Sequence, residues 1–375
     1  MNSHRTSRRG ATLILMTIML SASIGMLAFA IDIGYSQATK AQLQRSADAA
    51  ALAAAWELMQ ADQLGSPLAN QSTMVRDEAS AYMALNKVLL ETPNLALEDV
   101  EIGYLEDPSD PAEPMKFDNP SKFNAVRVRV RRTEDQNGKV GLFFGRVLGT
   151  DSVSMEATAT AAFLKQIKGF RAPDDDESLG ILPIALDQDS WNALLLGATD
   201  DDWHWNADTK TVTAGSDGML EVNLYPQGIG LPGNRGTVDI GGSNNSTADI
   251  SRQITDGVSE ADLSHHGGKL EFDTYGKLYL NGDTGISAGI KDELASQIGK
   301  PKMIPIFESA TGNGNNAMYT IVDFVGVRIL EVKLTGPMNQ KRVIIQPAKY
   351  LAEEAIGDDA NEKSHYIYSP VWLVR

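Results

Sequence analysis

Residues 11–31 form a run of 21 without a single charge, interrupted only by Thr12, Thr17, Ser21 and Ser23. As a helix rising 1.5 Å per residue it is about 30 Å long, the thickness of a bilayer's hydrocarbon core. Arg5, Arg8 and Arg9 precede it and Asp32 is the first charge after it. Since positive charge is retained in the cytoplasm, the expected topology is a single pass with the N-terminus inside and everything beyond Asp32 outside, periplasmic or extracellular. A cleavable secretory signal is the competing reading, because Ala28-Phe29-Ala30 fits a small-x-small cut site. A signal's apolar core is only about 7–15 residues, so the longer run favours a retained anchor.

The helical pattern does not stop at the apolar boundary. Residues 38–62 contain neither Gly nor Pro and are dominated by strong helix formers, so one helix is expected from about residue 11 to about residue 61. In its second half Leu43, Ala47, Ala50, Ala54, Leu58 and Ala61 recur at three- and four-residue spacing, a stripe built for packing. Leu43, Ala47, Ala50 and Ala54 are the residues expected to pack on the chain's own downstream sheet or on another helix, including that of a second copy. Asp32 and Gly34 mark the membrane exit.

Composition narrows the function. A net charge of -16 argues against a nucleic-acid partner, whose phosphates are met by clustered Lys and Arg. The absence of cysteine removes disulfides, thiolate metal sites and cysteine nucleophiles together, so an extracytoplasmic body must be held by packing. With 375 residues it is large enough to do so.

Several of these segments carry a resemblance. The Arg9-Gly10 leader, the exit Ile31-Asp32-Ile33-Gly34-Tyr35 and the block from Leu43 through Asp48 to Ala55 are similar to the TadE/TadG-like family of Flp (Tad) pilus-assembly proteins, over about residues 1–60. The segments 233–240 and 327–336 resemble a Tad-like C-terminal region. The resemblance implies a membrane-anchored accessory of a pilus-building machine in the inner membrane. Its partners would be other pilus or envelope proteins, and it brings no enzyme activity and no cofactor. Two family features are not carried over. Gly10 is followed at the fifth position by Leu15, where a prepilin leader has Glu. Neither Asp187-Gln188-Asp189-Ser190 nor Asp151-Ser152-Val153-Ser154 fits the Asp-x-Ser-x-Ser loop of a von Willebrand A metal site.

Downstream, a second helical pattern covers residues 73–90 and a strand 100–105. The loop 106–122 holds four prolines, which forbid regular structure. Val126, Val128 and Val130 then alternate with Arg127, Arg129 and Arg131, the period-two signature of a strand with an apolar and a charged face. The charged face reads as a solvated one. Residues 141–148 read as a short amphipathic helix or a membrane-near turn, and alternation resumes over 153–163. The expected fold is α+β: a long helix on a small antiparallel sheet, pilin-like in outline, then a β-rich domain with helices at 247–256 and 286–298. The expected division is a basic leader 1–10, a transmembrane helix 11–31, a pilin-like module 32–168, a linker 169–178 and a C-terminal domain 179–375.

Candidate chemistry is sparse. Residues 228–233 spell a dinucleotide fingerprint, but Pro226 and Pro232 deny it the strand-to-helix setting on which phosphate binding depends. His265 and His266 are adjacent and point apart, reading as a helix terminus stopped by Gly267 and Gly268. The acidic runs 174–176 and 200–202 lack the alternating ligands of a calcium loop. Trp203 and Trp205 beside the second run are the one cluster suggestive of sugar binding. No metal is expected. The alternative to an anchored assembly protein is a secreted surface- or carbohydrate-binding adhesin released after Ala30.

Overall fold

An unbroken helix, Arg9–Gln63 (α1), opens the computed structural model, which describes residues 9–63, 66–173, 177–225, 235–242, 246–312, 314–357 and 364–374. At 55 residues it is about 80 Å long. Two hydroxyls of its apolar half bond back onto the helix: Thr17 donates to the Leu13 carbonyl and Ser21 to that of Thr17, each at 2.9 Å. Such back-bonding is what lets hydroxyls sit in an apolar run without a partner outside the helix. Helix α1 is long and apolar enough to cross a membrane, and none of its most apolar window is buried within the chain.

Two compact units follow from how the chain packs: Met1–Ala162 with Val371–Arg375, and Phe163–Pro370. In the first, α1 is covered by a second helix, Leu68–Leu85 (α2), through Val75, Ala79 and Met83, one apolar residue per turn. Helix α2 begins behind Pro67 and ends at Asn86, earlier than the apolar pattern suggests. Leu89 and Leu90 turn left-handed beyond it, at φ 53° and 68°, where the Leu89 N–H donates to Gln42 of α1 at 2.8 Å. A tertiary hydrogen bond thus replaces the last helical turn.

A four-stranded antiparallel sheet forms the other wall, in the order Val100–Gly103 (β1), Ala125–Arg132 (β2), Met155–Ala162 (β5) and Trp372–Leu373. Between β2 and β5 lies a small hairpin of Val140–Gly141 (β3) and Ser152–Val153 (β4). Across β2 and β5, Val126 faces Ala161, Val128 faces Ala159 and Val130 faces Ala157, and all six are buried. Valine opposite alanine leaves shallow grooves, and the alanines of α1 pack on both of these strands.

The arginine face of β2 is paired rather than solvated. Arg127 meets Glu101 at 3.1 Å, Arg129 meets Asp99 at 3.2 Å, and Arg131 meets Asp99 at 2.7 Å and Glu98 at 2.8 Å. The Asp99 side chain is wholly buried and also accepts the Ala96 N–H at 3.0 Å, so it caps the short turn ahead of β1. Asp99→Ala is expected to cost about 2 kcal/mol, the worth of buried hydrogen bonds to charged groups. Glu98→Ala, at an exposed position, should change little. Faster hydrogen exchange of β1 and β2 amides in the first variant alone is the expected readout, and equal effects would refute the assignment.

The second unit is organised around one long strand, Ala317–Lys333, which pairs with Leu278–Asp283, Pro301–Thr311, Arg342–Pro347 and Ser364–His365. Both faces of this sheet are covered. Ile304, Val325 and Val327 face a layer holding Trp191, Ile250, Ile254 and Leu294 from helices, whereas Met303, Phe307 and Phe324 face Phe170, Leu263, Leu270 and Phe272. The helix Thr247–Asp256 falls where expected, with the Ser246 hydroxyl accepting the Asp249 N–H at 3.1 Å. The 286–298 segment breaks into Ala288–Ile290 and Lys291–Ser296. The molecule is α+β, as the sequence predicts.

Candidate functional site at the base of the N-terminal helix

Helix α1 changes character at Asp32. Every residue from Thr12 to Ile31 is exposed except Ala28, which is half-buried, whereas Asp32 is only 8% exposed. From there one stripe of the helix is covered: Asp32, Thr39, Leu43, Ala47, Ala50, Ala54 and Leu58. Leu43, Ala47, Ala50 and Ala54 are each fully buried inside the first unit. With these side chains covered, contact between copies through α1 is left to its exposed residues, those of the apolar stretch and others such as Lys40, Arg45 and Trp56.

Asp32 meets a segment far away in sequence. Its carboxylate accepts the backbone N–H of Phe143 at 2.8 Å and that of Phe144 at 3.0 Å. One turn up, the Tyr35 ring meets the Phe143 ring edge-on, with centroids 5.0 Å apart and planes at 70°. A carboxylate on two turn amides is a charge-assisted tether, worth more than a neutral hydrogen bond. Gly34 lies on the exposed side, where an added Cβ would meet open space, so nothing among the described residues requires glycine there. Sequence reasoning names Asp32 as a boundary mark, but its role as an acceptor depends on a partner 111 residues away.

On the same unit, α2, β1 and the 117–123 segment enclose an open groove of about 550 Å³, lined by Leu68, Leu97, Phe117 and Phe123 with Arg76 and Glu101 at its rim. It holds no constellation of acid, base and nucleophile. In the second unit the acids of the 200–202 run brace turns. Asp201 accepts from Ser216 and from the Asp217 and Gly218 amides, which hold its carboxyl below the usual range. Glu221 accepts the Asp202 and Trp203 amides, yet burial pushes its carboxyl up. Trp205 is stacked under the Arg328 guanidinium, 4.4 Å from the ring centroid, so its face is occupied rather than offered to a sugar.

His265 and His266 follow the short helix Glu260–Ser264 and lead into left-handed Gly267 and Gly268. Burial lowers the His266 pKa. Among the described residues no three His, Asp or Glu side chains converge as metal ligands. The fingerprint spelling at 228–233 and the acidic run 174–176 lie outside the described residues.

Comparison with known families finds two matches, both within the first unit. Residues 10–57 match the family described as Flp pilus-assembly TadE/G-like. Residues 53–161 match the one described as Tad-like Flp pilus-assembly, its C-terminal region. That second match covers the end of α1, α2 and the arginine-bearing sheet; the segments 233–240 and 327–336 lie outside both matches. No curated protein and no solved structure matches the chain. Over residues 10–161, which hold the apolar helix, its buried stripe and the Asp32 tether, the chain is similar to the Tad-like Flp pilus-assembly families.

Proposed function

We propose that this protein is a single-pass, inner-membrane-anchored structural component of a Tad/Flp pilus-assembly system. Its N-terminus lies in the cytoplasm and its two folded units lie outside, presented to other pilus or envelope proteins. The observation that carries the reading is the abrupt change along α1: an apolar stretch whose most apolar window is unburied, continued without a break into a stripe buried within the first unit. A stretch that leaves Leu, Ile, Met and Phe exposed over about 30 Å is suited to lipid and costly in water. The role is one of contact, with no chemistry assigned to any side chain.

Native membranes washed with alkaline carbonate, followed by N-terminal sequencing of the chain, test the anchor. The expected result is a chain that stays with the membrane pellet and keeps residues 11–31. A soluble chain beginning at Ile31 would support release after Ala30 and a secreted adhesin instead. Crosslinking in those membranes should recover pilus components. Recovery of none, with pilus output unchanged on deletion, would remove the assembly role.

A further inference from the structure

The hairpin at 140–153 is a built object. Strands β3 and β4 pair Val140 with Val153, and beyond them Leu142 N–H donates to the Asp151 carbonyl at 2.9 Å and Thr150 N–H to Gly145 at 3.0 Å. Gly145 is boxed in: a Cβ there would stand 2.2 Å from the Thr150 carbonyl oxygen and 2.7 Å from the Leu142 side chain. Gly149, at φ +85°, ends the short helical turn Gly145–Leu148. On this rigid frame Phe143 is 63% exposed, Phe144 41% and Val147 86%. Leaving such side chains in water forfeits roughly 1.5–3 kcal/mol each relative to burial, and an ordered turn that does so has its partner elsewhere.

The tether to α1 fixes the level at which this turn sits. Side chains of a helix tilt toward its N-terminus, so the Asp32 carboxylate hangs over the preceding turn. Ala28, four residues below on the same face, is the residue within the otherwise exposed run that is partly covered. It lies about 4.5 Å inside the end of the apolar stretch. The turn held by Asp32 is therefore level with the mouth of the apolar run, where Phe29, Ile31 and Ile33 are themselves exposed.

We propose that the turn carrying Phe143, Phe144 and Val147 inserts into the interfacial zone of the lipid bilayer beside α1, giving the first unit a second membrane contact. The inference rests on the reading of α1 as an anchor. Aromatic rings at the level of a helix exit are the side chains favoured at that boundary, and Tyr35 packed on Phe143 joins helix and turn into one aromatic patch. Exposed Arg146, between Phe144 and Val147, is placed to meet lipid phosphates with its guanidinium while its stem lies along apolar surface. Lipid rather than protein is the occupant because the turn continues an exposed helical surface at the depth where that surface meets the bilayer.

The absence of cysteine makes the test clean. The full chain is reconstituted in phosphatidylcholine–phosphatidylglycerol vesicles and a spin label is attached at one of three positions: Val147→Cys, Leu20→Cys in α1, or Asp135→Cys in an exposed turn of the body. Val147 and Leu20 are exposed, so neither label disturbs packing. Collisions with oxygen, which concentrates in lipid, are compared with those of a water-soluble nickel chelate. The expected result is oxygen accessibility dominating severalfold at positions 20 and 147 and the chelate dominating at 135. Lipid signal at 20 with a water signal at 147 equal to that at 135 overturns the proposal and leaves the anchor standing. A water signal at 20 overturns both.

Discussion

Arg235→Ala is expected to remove about 3 kcal/mol from the second unit, the loss found when one partner of a buried ion pair is deleted. The Arg235 guanidinium is 6% exposed and pairs with Asp187 at 2.6 Å. It also donates to the Asn223 carbonyl at 2.5 Å and to the Ser190 hydroxyl. It thereby ties the N-terminus of the helix Gln188–Leu195, which Asp187 caps through the Ser190 N–H, to the strand Val222–Tyr225. Alanine leaves that carboxylate short of its counter-charge and the carbonyl without its donor.

The pH dependence should change with it. Burial pushes the Asp187 carboxyl up, but Arg235 and Ser190 outweigh burial and hold it below the usual range. A depressed carboxyl gives stability that is complete above its unfolded pKa, near 4, and is lost as pH falls through the lower folded value. Without Arg235 only the Ser190 hydrogen bonds oppose burial, so the carboxyl is less depressed and the variant gains less stability as pH rises above about 4. Its deficit should therefore be widest near neutrality and shrink on acidification. Hydrogen exchange of amides in 188–195 and 222–225 reads this directly, and a deficit independent of pH would sink the assignment.

The second large effect concerns α1. Leu43→Ala should cost the first unit about 3 kcal/mol, because Leu43 is fully buried and truncation leaves a cavity in the unit's core. Leu20→Ala, on the same helix but 63% exposed, should leave the unit's stability unchanged in detergent. Exchange rates of α2 and β5 amides are the measurement. Similar losses in both variants would mean that the helix does not divide at Asp32 into a lipid-facing and a packed part.

An uncharged run continued by strong helix formers made α1 legible in the sequence, period-two alternation made β2 and β5 legible, and the spacing of Ser246 and Asp249 the helix at 247–256. Three- and four-residue spacing picked out Leu43, Ala47, Ala50 and Ala54. What it could not reach were contacts set by tertiary placement. The partners of Arg129 and Arg131 sit some thirty residues upstream on a three-residue turn with no pattern of its own. The Asp32 tether ends on backbone amides, which every residue but proline possesses. The strand Trp372–Leu373 is two residues long, too short to alternate, so nothing in its sequence tells that it groups with the first unit.

That short strand sets an order of events. It covers the end of the free edge of β5, pairing Trp372 with Ala162 and Leu373 with Ala161, yet the whole second unit intervenes between them along the chain. At a synthesis rate of about 5–20 residues per second, the gap amounts to roughly 10–40 seconds. Throughout that time the newborn first unit carries an open ladder of hydrogen-bonding groups, a template for any passing strand. Chaperoning of this edge, or quick maturation of the inserted unit, is the expected way to shorten that exposure.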